Sequence, residues 1–221
     1  MIVALIDSGI DLYQPAIVSQ VWNKSSEKPD AIDNDGNGLI DDIHGWDFVR
    51  NSNDLQDKAS HGTQMANLII KSNPHAKLMV LKVFDYKTIE PFRIVKAIDY
   101  ATDNGAQIIN LSLTSPNSNL EITSAIQRAL NKGIKVVAAA GNNGSEKPLF
   151  PSSLTGVISV VAVDENGNIK KWSNGDKGKV NETVKVNIDN LFTYTLGGKI
   201  KPASGTSSAA AVYSGILSRQ F

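Results

Sequence analysis

The chain has 221 residues and no cysteine, and its 22 lysine and arginine residues balance 22 aspartate and glutamate residues. A zero formal charge argues against binding of nucleic acid by counterion release, and the lack of cysteine excludes disulfide scaffolds, thiolate metal sites and cysteine nucleophiles. No apolar run reaches the roughly 18 residues of a membrane span, and the first residues lack the basic leader of a signal peptide. We therefore expect a globular protein that binds neither nucleic acid nor a membrane.

Short apolar segments alternate with helical patterns along the chain. The apolar segments lack polar alternation, which is typical of strands buried on both faces of a sheet. The predicted strands are Met1–Ile6, Lys77–Phe84, Gln107–Leu113, Ile134–Ala140 and Val157–Val163. The predicted helices are Ser60–Lys71, Glu90–Thr102, Ser118–Asn131 and Ala209–Leu217. This alternation predicts an α/β fold, a doubly wound and mainly parallel sheet with helices on both faces.

The second and third predicted helices carry more detailed signals. The stripe of the second helix that should face the core consists of Phe92, Val95, Ile98 and Ala101. The third helix begins with a capping box formed by Ser118 and Glu121. Gly133 follows it at a position that favours the left-handed conformation of a helix end. These signals predict which faces and ends of the two helices are buried or capped.

Two stretches depart from the alternation of strand and helix. Ser25–Asp57 is polar and rich in Asp, Asn and Gly, which predicts a long loop. Asp164–Gly198 contains several turn signals around short alternating segments such as Val180–Ile188, which predicts a small hairpin region. The sequence contains no internal repeat and no linker rich in Pro or Ser, so we expect a single domain over residues 1–221.

Four polar residues follow predicted strands or open predicted helices, where doubly wound sheets bind their ligands. Asp7 ends the first strand, His61 opens the first helix, Asn142 follows the fourth strand, and Ser207 precedes the last helix. Each has an ordinary structural interpretation when it is taken alone: a helix cap, a surface histidine, a turn residue or a second cap. Together they supply an acid, a base, an amide donor and a hydroxyl nucleophile.

The segments around these residues resemble the signatures of the subtilisin-like serine proteases. The matching segments are Ile6-Asp7-Ser8-Gly9-Ile10-Asp11, His61-Gly62-Thr63, Ile109-Asn110-Leu111-Ser112-Leu113, Ala138-Ala139-Ala140-Gly141-Asn142 and Gly205-Thr206-Ser207-Ser208-Ala209. They occur in the family's order and span nearly the whole chain. The resemblance implies a subtilisin-like fold and a serine endopeptidase with a triad in the order Asp, His, Ser.

The resemblance also implies a role for each catalytic residue. Ser207 would attack the peptide carbonyl and form an acyl-enzyme, with His61 as general base and then general acid. Asp7 would orient the imidazole, and the Asn142 amide would donate to the oxyanion. The alternative is a catalytically silent module that keeps the same fold and binds peptides.

The substrate is expected to be a polypeptide in an extended conformation, since strand addition recognises the main chain. The resemblance implies that small alanines wall the pocket for the side chain before the scissile bond, which favours a large apolar or aromatic residue. Thr114 stands where the family usually has glycine, which narrows the entrance. The implied substrate-binding residues are Leu111, Ser112, Leu113, Ala139, Ala140 and Gly141.

A separate motif lies in the segment Asp33-Asn34-Asp35-Gly36-Asn37-Gly38-Leu39-Ile40-Asp41-Asp42. Oxygen donors at alternate positions, with glycines between them, allow a loop to wrap a hard cation such as Ca²⁺. The predicted ligands are Asp33, Asp35, Asn37, Asp41 and Asp42 through their side chains and Leu39 through its carbonyl. His44 takes the place of the bidentate glutamate of an EF-hand, so this is not an EF-hand. One alternative is a solvated polar turn without metal. Another is a calcium-dependent structural domain that has no catalytic activity.

The sequence departs from the family pattern at several positions. Ala211 stands where the family usually has proline, and Gln64 stands where it usually has histidine. These departures bear on helix packing and substrate preference rather than on the catalytic atoms. A propeptide or inhibitor, if the enzyme has one, is expected outside this chain. The compartment stays open: cytoplasmic if the chain is complete, secreted or periplasmic if it is a processed fragment.

Overall fold

The computed structural model describes residues 1–86, 89–177 and 182–220, and a parallel sheet of seven strands runs through its centre. All seven strands are parallel, in the order β2-β3-β1-β4-β5-β6-β7. The strands are β1 (Ile2–Asp7), β2 (Gly45–Asp47), β3 (Lys77–Lys82), β4 (Ile108–Leu111), β5 (Lys135–Ala139), β6 (Ile158–Val163) and β7 (Thr183–Asn187). The five predicted strands are present, and the α/β fold class is confirmed.

Helices cover both faces of this sheet. They are α1 (Pro15–Val18), α2 (His61–Ser72), α3 (Pro91–Asp103), α4 (Leu120–Asn131) and α5 (Gly205–Leu217). One core contains apolar residues of α2 and α5, and the other contains those of α3 and α4. Val3 and Leu5 of β1 belong to the first core, and Ala4 and Ile6 belong to the second. Alternate residues of a central strand therefore fill two separate cores, as a doubly wound sheet requires.

The helix details differ from the sequence predictions at two points. The capping residue of α4 is Asn119, whose side chain accepts the Ile122 N–H at 2.9 Å, so the capping box at Ser118 was wrong. Asparagine and serine are equally good caps, and a one-residue shift leaves the apolar face of the helix unchanged. Phe92 is 49% exposed because it lies in the first turn of α3, on its solvent side. Ile94 and Ala97 lie on the buried face instead.

The predicted hairpin region was only partly right. Thr183–Asn187 is a parallel edge strand beside β6, and the hairpin is formed later by β8 (Phe192–Tyr194) and β9 (Ile200–Pro202). Alternating polarity marks a strand with one exposed face, and it does so in an edge strand as well as in a hairpin. Residues 180 and 181 of the predicted alternating segment lie outside the described residues.

The predicted loop between residues 25 and 57 also contains a strand. Its three residues, Gly45–Asp47, form the edge strand β2 beside β3. A strand this short carries too little apolar pattern to be distinguished from a polar loop. No helix in the described part of the chain is long and apolar enough to cross a membrane.

Candidate active site

Asp7 and His61 form a hydrogen-bonded pair at the carboxyl end of the sheet. Asp7 is the last residue of β1 and is 1% exposed, and His61 is the first residue of α2. The imidazole Nδ1 lies 2.8 Å from Asp7 Oδ1 and 3.0 Å from Oδ2. Because a carboxylate only accepts hydrogen bonds, Nδ1 carries the proton and Nε2 is left free to act as a base.

The negative charge of Asp7 raises the pKa of His61 above its ordinary value of 6.5. Burial of the ring opposes this shift, Asp57 adds to it, and Lys201 opposes it. The imidazolium is therefore stabilised in the place where a general base would have to accept a proton.

Glycine allows the strand and the helix to meet. A Cβ at Gly62 would overlap the carbonyl oxygen of Gly9 and lie 3.2 Å from Asp7 Oδ1. Gly9 has a φ of +99°, and a Cβ there would overlap the Leu55 carbonyl oxygen. The Gly62 of the sequence motif, unfavourable in a helix by about 1 kcal/mol relative to alanine, is thus explained by close packing beside Asp7.

Ser207 lies in the first turn of α5, against the segment that follows β4. Its hydroxyl donates to the Ser112 carbonyl oxygen at 3.1 Å, and the Ser112 hydroxyl donates to the Ser207 carbonyl oxygen at 3.1 Å. Asn110 links this pair to α5, because it donates to Ser112 Oγ and accepts from Ser214 Oγ. Among the described residues, the Ser207 hydroxyl therefore donates to the Ser112 carbonyl oxygen and makes no hydrogen bond with the His61 imidazole.

Asn142 lies beside the start of α5. Its Oδ1 accepts the Thr206 N–H at 2.8 Å and the Thr206 hydroxyl at 3.1 Å. This leaves the Nδ2 group of an exposed side chain as a donor, close to Gly205. Thr206 also binds Gly141, whose N–H lies 3.0 Å from its hydroxyl. Sequence reasoning missed Thr206, although it stands inside the matched Gly-Thr-Ser segment.

The two predicted substrate-binding segments lie side by side. Leu111 at the end of β4 pairs in register with Ala138 of β5, and Ala139, Ala140 and Gly141 are buried. A cavity of about 300 Å³ adjoins Leu113 and Thr114. Most of its other lining residues are apolar, among them Ile89, Pro91, Ile94, Ile122, Phe150 and Pro151.

The predicted calcium loop is organised differently from the sequence prediction. The Asp33 carboxylate accepts the backbone N–H groups of Gly36, Asn37 and Gly38. The Asp41 carboxylate accepts those of Asp30 and Ala31 in the same way. These two carboxylates are used by the loop itself, because glycine-rich turns expose many backbone N–H groups to nearby acceptors. The Leu39 N–H likewise donates to Asn37 Oδ1 at 2.7 Å.

A compact acidic cluster forms nearby from Glu27, Asp35 and Asp42, with one oxygen of each within 4.8 Å of the others. The Lys24 ammonium lies 2.5 Å from Asp35 and 2.9 Å from Asp42. Asp42 is fully buried and also accepts hydrogen bonds from the Asn37 amide and the Tyr100 hydroxyl. Burial raises the pKa of the Tyr100 hydroxyl, which keeps it protonated as a donor. Sequence reasoning missed Glu27, which is 5% exposed and whose Oε2 has no hydrogen-bond partner among residues 1–86, 89–177 and 182–220.

The sequence model of the subtilase family matches residues 1–219. The chain belongs to the subtilase family. A thermophilic serine proteinase from Bacillus sp. strain AK1 is 32% identical over 97% of this chain and 50% of that protein. Thermitase from Thermoactinomyces vulgaris is 30% identical over 77% of this chain and 58% of its own length. The chain thus spans about half the length of the curated relatives it matches.

Solved structures show the same fold. A cold-adapted subtilisin-like serine proteinase superposes with a TM-score of 0.80 at 20% identity, over 99% of this chain and 75% of that one. The prenylagaramide maturation protease PagA superposes with a TM-score of 0.76 at 23% identity, over 100% of this chain and 76% of that one. The resemblance in fold that the sequence implied is therefore confirmed.

Proposed function

We propose that this chain is the catalytic unit of a serine endopeptidase with Ser207, His61 and Asp7 as its triad. The observation that supports this most is the hydrogen bond that His61 Nδ1 donates to a buried carboxylate at the carboxyl end of the sheet, where Ser207 of α5 also lies against the segment after β4. Such a pair fixes the tautomer in which Nε2 can take a proton. Membership of the subtilase family gives the same assignment of residue types.

The proposed reaction begins when the Ser207 hydroxyl leaves the Ser112 carbonyl and turns to His61. Nε2 removes the proton as Oγ attacks the peptide carbonyl carbon, and the carbonyl π electrons move to the oxygen. Collapse of this tetrahedral intermediate expels the amine, which takes the proton from His61, and leaves an acyl-enzyme. Water repeats the same steps and releases the carboxylic acid.

The oxyanion of that intermediate would be bound by the Asn142 Nδ2 group and by the backbone N–H of Ser207. Anchoring of Asn142 Oδ1 by Thr206 supports this role, because it fixes the amide with its donor side free. The start of α5 adds the positive end of a helix dipole at Ser207. A donor of this kind contributes about 10²–10³-fold to kcat in subtilisin-type enzymes.

Polypeptides in an extended conformation are the proposed substrates, pairing with Leu111, Ser112 and Leu113. Ala139, Ala140 and Gly141 would line the pocket for the residue before the scissile bond. The cavity beside Leu113 and Thr114 favours a further apolar side chain on the same peptide, because apolar residues dominate its lining.

A fluorophosphonate probe tests the triad directly, since it labels only an activated serine. We expect labelling of the folded wild type at Ser207, none in Ser207→Ala, and cleavage of a peptide library by the wild type alone. A folded wild type that is neither labelled nor active on the library contradicts the proposal.

The second candidate is a peptide-binding module without catalysis. It is favoured by one observation, the direction of the Ser207 hydroxyl towards Ser112. It predicts that extended peptides bind to wild type and Ser207→Ala with equal affinity and that the probe labels neither. The endopeptidase predicts labelling and turnover, so the same experiment separates the two.

We also propose a structural Ca²⁺ in the acidic cluster, held by Glu27, Asp35 and Asp42. The unpartnered Glu27 Oε2 supports this, because a buried carboxylate oxygen normally has a partner. Lys24 would have to turn out towards solvent when the ion binds. The ion would stiffen the loop and take no part in the reaction.

A further inference from the structure

Asp57 is a buried carboxylate four residues before His61. It is 2% exposed and accepts five hydrogen bonds. Its Oδ1 binds Ser8 Oγ and the backbone N–H groups of Ala59 and Ser60, each at 2.9 Å. Its Oδ2 binds the N–H of Thr63 at 3.0 Å and the Thr63 hydroxyl at 2.6 Å. One carboxylate thus organises the segment that leads into the catalytic helix.

These bonds hold the backbone on both sides of His61. The Ser60 N–H binds Asp57 directly, and the Gly62 N–H binds Ser8 Oγ at 2.8 Å. Ser8 Oγ in turn donates to Asp57. The two backbone bonds on either side of His61 are therefore both linked to Asp57, and together they fix the position of the imidazole.

Asp57 is also linked to Asp7, the hydrogen-bond partner of His61. Ser8 follows Asp7, and its own N–H donates to Asp7 Oδ1 at 2.8 Å. The end of β1 and the start of α2 are thus tied through Ser8 over 54 residues of sequence. A shift of Asp57 would move both partners of the hydrogen bond between Asp7 and His61.

The start of α2 also needs this acceptor. Ser60 precedes the helix with a φ of +70° and caps it with no side-chain bond. Asp57 accepts the Thr63 N–H, which is the bond that an ordinary capping side chain would make. A negative charge at this end of the helix is stabilised by the helix dipole.

We propose that Asp57 is a positioning residue of the active site, which acts through Ser8 and the backbone of Ser60 and Gly62 to set the geometry of the Asp7–His61 pair. This inference rests on the proposed function. It adds a second carboxylate to the environment of His61, one that touches neither the imidazole nor the substrate.

A charge effect accompanies the geometric one. Asp7 raises the pKa of His61 most, Asp57 raises it further, and burial and Lys201 oppose both. Because His61 must be neutral to act as base, removal of the Asp57 charge should move the acidic limb of kcat/KM to lower pH. Loss of the Ser8 link should disturb geometry and leave this limb in place.

The experiment compares Asp57→Asn and Ser8→Ala with the control Asp54→Asn, an exposed carboxylate of the same segment. We expect kcat to fall about 10- to 100-fold in both test variants with KM within about twofold, as a small misplacement of catalytic groups does. Only Asp57→Asn should move the acidic limb. Asp54→Asn should match the wild type in kcat and pH profile.

NMR titration of His61 gives the same test without turnover, with His44 and His75 as internal references. A lower His61 pKa in Asp57→Asn and an unchanged one in Ser8→Ala support the proposal. A purely structural role would lower the melting temperature of both and leave kcat, acidic limb and His61 titration as in wild type, which overturns it. If Asp57→Asn does not fold, Ser8→Ala decides: an unchanged kcat overturns the proposal. A wild type without activity contradicts the proposed function, and the titration still tests Asp57.

Discussion

Two regions of the molecule gather carboxylates, and the hydrogen-bond partners of these carboxylates differ in kind. Around His61, Asp7 and Asp57 are surrounded by backbone N–H groups, a serine hydroxyl and the imidazole. Around Lys24, Asp35 and Asp42 are held by its ammonium group, and they lie beside a Glu27 oxygen that has no partner in the described part of the chain. Fixed backbone donors suit a group that must keep one geometry, whereas a flexible cation suits a group whose partner can be exchanged.

Removal of one carboxylate charge from each region should give the largest difference in kcat between the two regions. Asp7→Asn keeps the shape of the side chain, but its amide can donate to Nδ1 and favour the tautomer in which Nε2 carries the proton. We expect kcat to fall about 10⁴-fold. Asp35→Asn should leave kcat within about twofold at 25 °C. Steady-state kinetics on one peptide measures both, and equal losses in the two variants would contradict the division of roles.

The Lys24 ammonium provides the next largest effect. Burial lowers the pKa of Lys24, but the bonds with Asp35 and Asp42 outweigh this and raise it, so the ion pair holds at neutral pH. Lys24→Met leaves Asp35 and Asp42 without their cation, and we expect a loss of about 3–5 kcal/mol of unfolding free energy in the presence of a chelator. Lys28→Met, at an exposed position, is the matched control.

Calcium should restore what Lys24→Met loses, because the ion can replace the ammonium. Each 1 kcal/mol of binding free energy raises the melting temperature of a domain this size by about 2–4 °C. Thermal unfolding with and without CaCl₂ measures the effect, with MgCl₂ as the comparison ion. If neither chelator nor calcium changes the melting temperature of the wild type or of Lys24→Met, the proposed site is ruled out.

In the proposed oxyanion site, variants of Asn142 separate anchoring by Thr206 from binding of the oxyanion. Asn142→Ala removes both the Oδ1 acceptor and the Nδ2 donor, and kcat should fall about 10²–10³-fold with little change in KM. Asn142→Asp keeps an acceptor for the Thr206 N–H but removes the donor, so it should lose at least as much. Asn143→Ala, at the exposed neighbour, should behave as wild type. Retained activity in Asn142→Asp would mean that anchoring alone matters.

Sequence patterns predicted the sheet and the Asp7–His61 pair, because buried parallel strands are apolar throughout and their ends meet at one edge. The proposed role of Asp57 could not be predicted, since its bond to Ser8 joins residues 49 positions apart. The arrangement of the predicted calcium loop could not be derived from spacing, because Asp33 and Asp41 bind backbone N–H groups whose direction the spacing does not reveal. Thr183–Asn187 was assigned to a hairpin because alternation does not distinguish a hairpin strand from a parallel edge strand.

The smallest expected effect concerns the pH profile of the wild type. Asp7 raises the pKa of His61 above 6.5, so protonation of the base should begin to inhibit at a higher pH than for an isolated imidazole. We expect the midpoint of the acidic limb of kcat/KM above 6.5, measured with a peptide that has no titratable group between pH 5 and 9. Lys201 opposes the shift, so Lys201→Met should move the midpoint upwards, and by more at low salt than at high salt. Lys199→Met, in the exposed turn between β8 and β9, is the control. A midpoint at or below 6.5 would mean that Asp7 does not dominate the electrostatics of His61. The proposed difference between the His61 region and the acidic cluster would then not hold for the His61 region.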